Sequence, residues 1–195
     1  MPRSDDLHSL PPGLPVPIDD GACTHLPGAT LPPVTLAATS GERVTLATLP
    51  GRTVVYAYPR TGVPDRDPPP GWDQIPGARG CTPQSCGYRD QMAAFRTLGA
   101  RVFGLSTQTT AYQEAAAQRL HLPFPLLSDA ALVLTRALRL PTFDIDGQTL
   151  LKRATFVIDA GRIVHVFYPV FPPDRDAARV LEWLAAHPDA GLNPA

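Results

Sequence analysis

Hydrophobic residues in this chain fall into short runs whose period changes along its length. Arg52 to Tyr58 (RTVVYAY) is β-branched and aromatic without alternation, which predicts a strand buried on both faces. Arg101 to Ser106 (RVFGLS) predicts a second strand. Between them, Tyr88, Met92, Phe95 and Leu98 recur at helical spacing, so Thr82 to Leu98 reads as a helix ended by Gly99. Upstream, Val34-Thr35-Leu36 and Val44-Thr45-Leu46 flank Ser40-Gly41-Glu42, the pattern of a hairpin. Downstream come an Ala/Gln-rich helix from Thr109 to Leu120 and a short extended piece, Pro123 to Leu127. Ser128-Asp129 is placed to cap a helix over Ala130 to Leu138. Arg153 to Asp159 and Arg162 to Tyr168, joined at Asp159-Ala160-Gly161, form a second hairpin. Asp174 then caps a last helix that runs to about His187 and turns Ala178, Leu181 and Leu184 to one face.

Strands separated by helices and followed by an antiparallel pair describe an α/β fold with a central mixed sheet flanked by helices. Residues 34–187 make one domain on this reading. Residues 1–33, rich in Pro, Gly and Asp without a sustained period, form an extended N-terminal arm, and residues 188–195 a short tail. Residues 59–80 form one long loop, and connections of that length inside a compact domain are usually functional or mobile.

Composition changes this picture in one respect. Proline accounts for 24 of the 195 residues, and fifteen of them lie in the first 80, so the excess belongs to the arm and the long loop. The formal net charge of −1 gives no footprint for nucleic acid or a membrane surface. No apolar run approaches the ~20 residues that span a bilayer. The polar start Met1-Pro2-Arg3-Ser4-Asp5-Asp6 has no apolar stretch behind it, so a cytoplasmic location is expected. Three cysteines make no disulfide framework.

The candidate chemistry lies at Gly80-Cys81-Thr82-Pro83, where a long loop meets the start of a helix. Thr82 suits an N-cap and Pro83 the first helical turn. Backbone N–H groups and the macrodipole at such a position favour a thiolate, the form that attacks a peroxide O–O bond to give Cys-SOH. Arg79 would add positive potential. A single cysteine is more often a small buried hydrophobe; the strand–loop–helix setting and a second thiol, Cys86, favour reactivity. In an intact helix the two Cα atoms would stand about 8–9 Å apart, beyond the roughly 7 Å that a disulfide bridges. Bridging them requires the first turn to unwind. Cys23 reads as structural, with an alternative resolving role left open. None of the five histidines falls at ligand spacing near the pair, so no metal is expected.

The segment Gly80-Cys81-Thr82-Pro83-Gln84-Ser85-Cys86-Gly87-Tyr88-Arg89-Asp90 resembles the signature of Q-type peroxiredoxins, the bacterioferritin comigratory proteins. The preceding strand ends Tyr58-Pro59, as in that family, and Arg153-Ala154-Thr155-Phe156-Val157-Ile158-Asp159 resembles its R-x-T-F-x-I-D strand. The resemblance implies a thioredoxin-like fold and a cofactor-free thiol peroxidase acting on hydrogen peroxide and organic hydroperoxides. It implies that Cys81 is the peroxidatic cysteine, Cys86 its resolving partner in an intramolecular disulfide, and Arg153 the arginine that holds the peroxide. It also implies recycling by thioredoxin or a similar dithiol, and a monomer or homodimer. Taken without the family, Arg153 reads as a strand-end surface residue.

The chain departs from the family in the loop. Ala78 stands three residues before Cys81, where the family has a hydroxyl, and residues 60–79 form an apparent insertion. Thr61 is the candidate replacement, against the plainer reading of a turn residue. Trp72 and Pro68 to Pro70 belong either to a packed surface loop or to a lid or partner contact. Two other functions stay in view: a disulfide oxidoreductase, which usually needs Cys-x-x-Cys rather than the present spacing, and a non-catalytic redox-sensing or binding module.

Overall fold

Strand β3, Arg52–Ala57, is buried at every position. Successive side chains point to opposite faces, so its residues divide between two cores. Val55 and Ala57 join Phe103, Leu105, Phe156 and Ile158 on one face. Val54 and Tyr56 join Val102, Val157, Tyr88 and Phe95 on the other. This double burial is why the run carries no polar alternation.

The structure, a computed structural model, describes residues 7–188. Besides β3, its strands are β1 (Thr35–Ala38), β2 (Arg43–Thr45), β4 (Ala100–Ser106), β5 (Leu126–Ser128), β6 (Thr142–Ile145), β7 (Gln148–Leu151), β8 (Ala154–Asp159) and β9 (Arg162–Phe167). Seven form one sheet in the order β2-β1-β5-β4-β3-β8-β9, and β6 pairs with β7 alone. β3 runs parallel to β4 and antiparallel to β8, so the sheet is mixed, as expected. Helices α1 (Cys81–Asp90), α2 (Met92–Thr97), α3 (Thr110–Arg119), α4 (Val133–Leu138) and α5 (Asp176–Ala186) complete the fold. α1, α2 and α5 supply Tyr88, Met92, Phe95, Val180 and Leu184 to one face. α4 supplies Leu134 and Leu138 to the other, together with Cys23, Leu26 and Leu31 of the arm.

Several local expectations are corrected. The helix predicted over Thr82 to Leu98 is two helices broken at Gln91, whose ψ of 10° leaves the helical region. Thr82 is not the N-cap of α1: Gly80 holds that place at φ +100°, which lets the chain turn sharply so that Cys81 is the first helical residue. A Cβ on Gly80 would stand 2.4 Å from Pro173 Cγ, so the position needs glycine for space as well as for φ. Asp174 lies in a 3-10 turn, Pro173–Arg175, and makes no side-chain cap. The helix expected from Ala130 begins at Val133, although Asp129 still serves its start by accepting from the Leu134 and Thr135 amides.

The hairpin β6–β7 is not among the predicted elements. It turns at Asp146-Gly147, both at positive φ, and covers the long loop. Trp72 and Ala78 are buried against its Leu150, with Phe143 and Ile145 alongside, so Trp72 is a packed residue in this structure.

Candidate active site

Antiparallel pairing sets Ala57 at the end of β3 opposite Ala154 at the start of β8. That register brings Arg153, one residue before β8, beside the loop that leads into Cys81. Its Nη2 donates to Cys81 Sγ at 3.2 Å. Every other donor that it uses meets the same loop or α1. Nη2 also donates to the Ala78 and Arg79 carbonyls at 3.3 and 3.2 Å, Nε to the Gly77 carbonyl at 3.3 Å, and Nη1 to Gln84 Oε1. Arg153 is 3 % exposed, so it is not the surface residue that its sequence position alone allows. Among the described residues it forms no salt bridge with a carboxylate. A buried charge without a carboxylate draws its stabilisation from carbonyl dipoles and from whatever negative charge the sulfur carries.

Cys81 is buried, with its Sγ 3.7 Å from the Ala78 carbonyl. The position expected to carry a hydroxyl thus contributes a carbonyl shared by Cys81 and Arg153. Thr61 is buried too, and its amide donates to Gln108 Oε1 at 3.1 Å while its carbonyl accepts from the Tyr112 hydroxyl at 2.8 Å. Its own hydroxyl has no hydrogen-bond partner and touches neither Cys81 nor Arg153 in this way. Arg60 and Gly62 on either side of it line a small cavity of about 30 Å³ at Cys81. Arg79 pairs with Asp73 at 2.8 Å.

Cys86 lies on the same helix as Cys81, and all three cysteines are free thiols. Burial pushes the Cys86 thiol up, with Asp90 adding to the shift and Arg89 opposing it. Burial pushes Cys23 further, to about 12, in a core with Leu26 and Leu31. A thiol held that high is a poor nucleophile near neutral pH.

Two further residues bound into this site, Gln84 and Asp176, are not among those that the sequence reading singles out. Gln84 follows Cys81 by three residues, one turn along the same face, and that spacing is a usable signal. Asp176 gives none. Its carboxylate, wholly buried, accepts from Gln84 Nε2 at 2.8 Å, Tyr88 Oη at 2.8 Å and Thr155 Oγ1 at 2.7 Å. The chain Cys81–Arg153–Gln84–Asp176 thus runs from the sulfur into the core.

Burial raises the Asp176 carboxyl above its ordinary 3.8, outweighing the three donors and Arg153. The folded protein therefore holds this proton more tightly than the unfolded chain does. The stability that it contributes is complete below about pH 4 and is lost as pH rises through the folded value. Asp176→Asn, neutral throughout, is expected to flatten the fall of Tm above about pH 4. Thermal unfolding across a pH series measures the slope, and identical slopes in both proteins would refute the assignment.

Among the described residues no group of three or more His, Cys, Asp or Glu could hold a metal ion, and no helix is long and apolar enough to cross a membrane.

The Redoxin family profile matches residues 26–181. The chain is 34 % identical over 159 residues to a chloroplastic peroxiredoxin Q of Sedum lineare, covering 80 % of this chain and 76 % of that protein. The chloroplastic peroxiredoxin Q of Gentiana triflora is 33 % identical over 159 residues, covering 80 % of this chain and 65 % of its own length. Among solved structures, peroxidoxin BcpB of Mycobacterium tuberculosis matches with a TM-score of 0.67 at 27 % identity, over 83 % of this chain and 98 % of that one. A Xanthomonas campestris peroxiredoxin Q matches with a TM-score of 0.62 over 80 % of this chain and 91 % of that one; at 24 % identity this is a likeness of fold.

Proposed function

Because the chain belongs to the redoxin family, in its peroxiredoxin Q branch, and is a thiol peroxidase of thioredoxin-like fold, we propose that Cys81 is the sulfur that attacks the peroxide. The observation that carries this reading is the 3.2 Å contact from the buried Arg153 guanidinium to Cys81 Sγ. A thiolate there receives a charge-assisted hydrogen bond, and the same rigid fork of donors lies ready for the oxygen on which charge develops.

In the first step the Cys81 thiolate attacks one peroxide oxygen. The O–O bond breaks, sulfur is oxidised to the sulfenic acid, and the leaving oxygen departs as water or alcohol after taking a proton. In the second step the Cys86 thiolate attacks the Cys81 sulfur, a disulfide forms and water leaves. A dithiol of the thioredoxin kind then returns both sulfurs to thiols by two exchanges. Thr61 is the hydroxyl that we assign to the peroxide-binding corner, because its buried oxygen is unpartnered and its neighbours line the cavity. The segment 60–79 is, on this reading, an insertion that closes the site through Trp72. The chemistry requires a compartment that supplies reduced dithiol, and we assign the cytoplasm.

The second step requires α1 to open, since about 8–9 Å separates Cα atoms five residues apart in a helix. Reduced protein treated with one equivalent of hydrogen peroxide is therefore expected to yield a Cys81–Cys86 disulfide in peptide mass spectrometry. Cys86→Ser should stop at the sulfenic acid on Cys81 and lose most steady-state turnover with a dithiol donor. A disulfide through Cys23, or full turnover without Cys86, would overturn the pairing. Reduction of protein disulfides without consumption of peroxide would favour the oxidoreductase alternative instead.

A further inference from the structure

The N-terminal arm passes directly over the reactive helix. Leu7 and Ser9 line the cavity at Cys81, together with Arg60, Trp72 and Thr82. Leu7 sits where Gly62 has no side chain: a Cβ there would stand 2.7 Å from Leu7 Cδ2. Leu10 uses Gly80 in the same way, its Cδ2 lying 2.7 Å from the position of a Cβ. Between the two leucines, His8 brings Nδ1 to 3.8 Å from Cys86 Sγ. Two glycines that flank the cavity thus accept two leucines of one short segment. Pro11-Pro12 carries the segment into a turn at Pro12-Gly13, where Gly13 takes a φ of +76°. Further along, Asp20 is fastened to Lys152 and to the Tyr168 hydroxyl, each at 2.7 Å. The strap is therefore anchored at its far end and lies over the site by its leucines.

Resting on the assignment of Cys81 as the attacking sulfur, we infer that Leu7 to Leu10 is a specificity-determining strap that admits hydrogen peroxide and excludes bulky organic hydroperoxides. The cavity that the strap roofs measures about 30 Å³. One water needs roughly 10–15 Å³ on that scale, so the space suits the two oxygens of hydrogen peroxide. An aryl hydroperoxide brings a whole ring beyond its O–O pair and finds no room. A second cavity, also about 30 Å³, is lined by Val63, Pro68 and Pro69 and shares Arg60, Gly62 and Trp72 with the first. Leu7 packs on Gly62, one of those shared residues. Withdrawing Leu7 adds the volume of its side chain to the two cavities and joins them beside Val63, Pro68 and Pro69, and a ring needs that combined space.

The test uses the full reduced chain and two probes, hydrogen peroxide and cumene hydroperoxide. The readout is the second-order rate of Cys81 oxidation, followed by trapping the sulfenic acid. Wild type is expected to prefer hydrogen peroxide strongly. Leu7→Ala/Leu10→Ala should raise the ratio of the cumene hydroperoxide rate to the hydrogen peroxide rate about tenfold or more, a discrimination of the size that steric pockets provide. Gly62→Ala, which displaces Leu7 from the opposite side, should shift the ratio in the same direction. An unchanged ratio in both variants, with Cys81 still oxidised by hydrogen peroxide, would overturn the strap alone. Wild type whose Cys81 is not oxidised by hydrogen peroxide would overturn both the strap and the assignment on which it rests.

Discussion

Cys81→Ser is expected to lower peroxide turnover by about 10³-fold or more, on the scale of removing a covalent nucleophile. The chemistry explains why the loss should be so complete. Sulfur attack exchanges an O–O bond for an S–O bond and oxidises sulfur. Oxygen attack by serine would only make another O–O bond, so no substitute reaction is available. Serine is slightly smaller than cysteine and can keep a weak contact with Arg153, so the fold should survive. An unchanged thermal midpoint would show that it does. Cys23→Ser is the matched control: Cys23 is buried in the opposite core and its thiol is pushed to about 12, so turnover should persist. Peroxide consumption coupled to a dithiol donor measures both. Turnover that survived in Cys81→Ser and vanished in Cys23→Ser would reverse the assignment.

On the proposed assignment of Cys81 and Cys86, α1 has to be both firm and breakable. Firmness comes from Tyr56, which stacks on Tyr88 with centroids 4.4 Å apart and donates to Ser85 Oγ at 3.0 Å. Gln84 and Tyr88 add their hydrogen bonds to Asp176 of α5. These ties hold the middle and the end of α1. The first turn, with Cys81, depends on Gly80, the Ala78 carbonyl and Arg153. Oxidation of Cys81 changes the partner that Arg153 holds, so the ties at the first turn are the ones that the reaction itself disturbs. Opening of this turn, rather than of the whole helix, is the smallest movement that brings Cys81 toward Cys86.

What could be read from the sequence follows from where the information is local. β3 was legible because burial on both faces leaves an unbroken apolar run, and the hairpin β8–β9 because Ala160-Gly161 marks its turn. The reactive helix was legible in outline, but its start was displaced by one residue. Thr82 carries the usual capping chemistry, whereas the fold uses the positive φ of Gly80. The hairpin β6–β7 has a local signal in Asp146-Gly147 between two apolar runs, and it escaped because the runs are short. The environment of Cys81 was not legible in this way. Arg153 reaches the sulfur across 72 residues of sequence and His8 reaches Cys86 across 78. Only the β3–β8 register and the course of the arm create those neighbours, and neither leaves a periodic trace. The family motif indicated Arg153; nothing local indicated Leu7, His8 or Asp176.

Arg153→Lys is expected to lower kcat/KM for hydrogen peroxide by about 10²–10³-fold, the range seen when a placed donor to a developing oxyanion is lost. The charge is kept, so the loss isolates geometry. The guanidinium reaches the Gly77, Ala78 and Arg79 carbonyls, Gln84 Oε1 and Cys81 Sγ at once. An ammonium has three donors on a flexible stem and cannot span that set. Gln84→Ala is the graded comparison, because it removes one anchor of the guanidinium and leaves its charge and its sulfur contact in place. If Arg153 acts by aim, Gln84→Ala should fall between wild type and Arg153→Lys, by about tenfold. If it acts only as a bulk positive charge, Arg153→Lys and Gln84→Ala should both remain close to wild type. Stopped-flow rates of Cys81 oxidation separate the two, since they report the first chemical step before any opening of α1. A slow first step in Arg153→Lys with an unchanged rate of disulfide formation would assign the arginine to peroxide attack. Slowing confined to disulfide formation would instead make it a latch on the first turn.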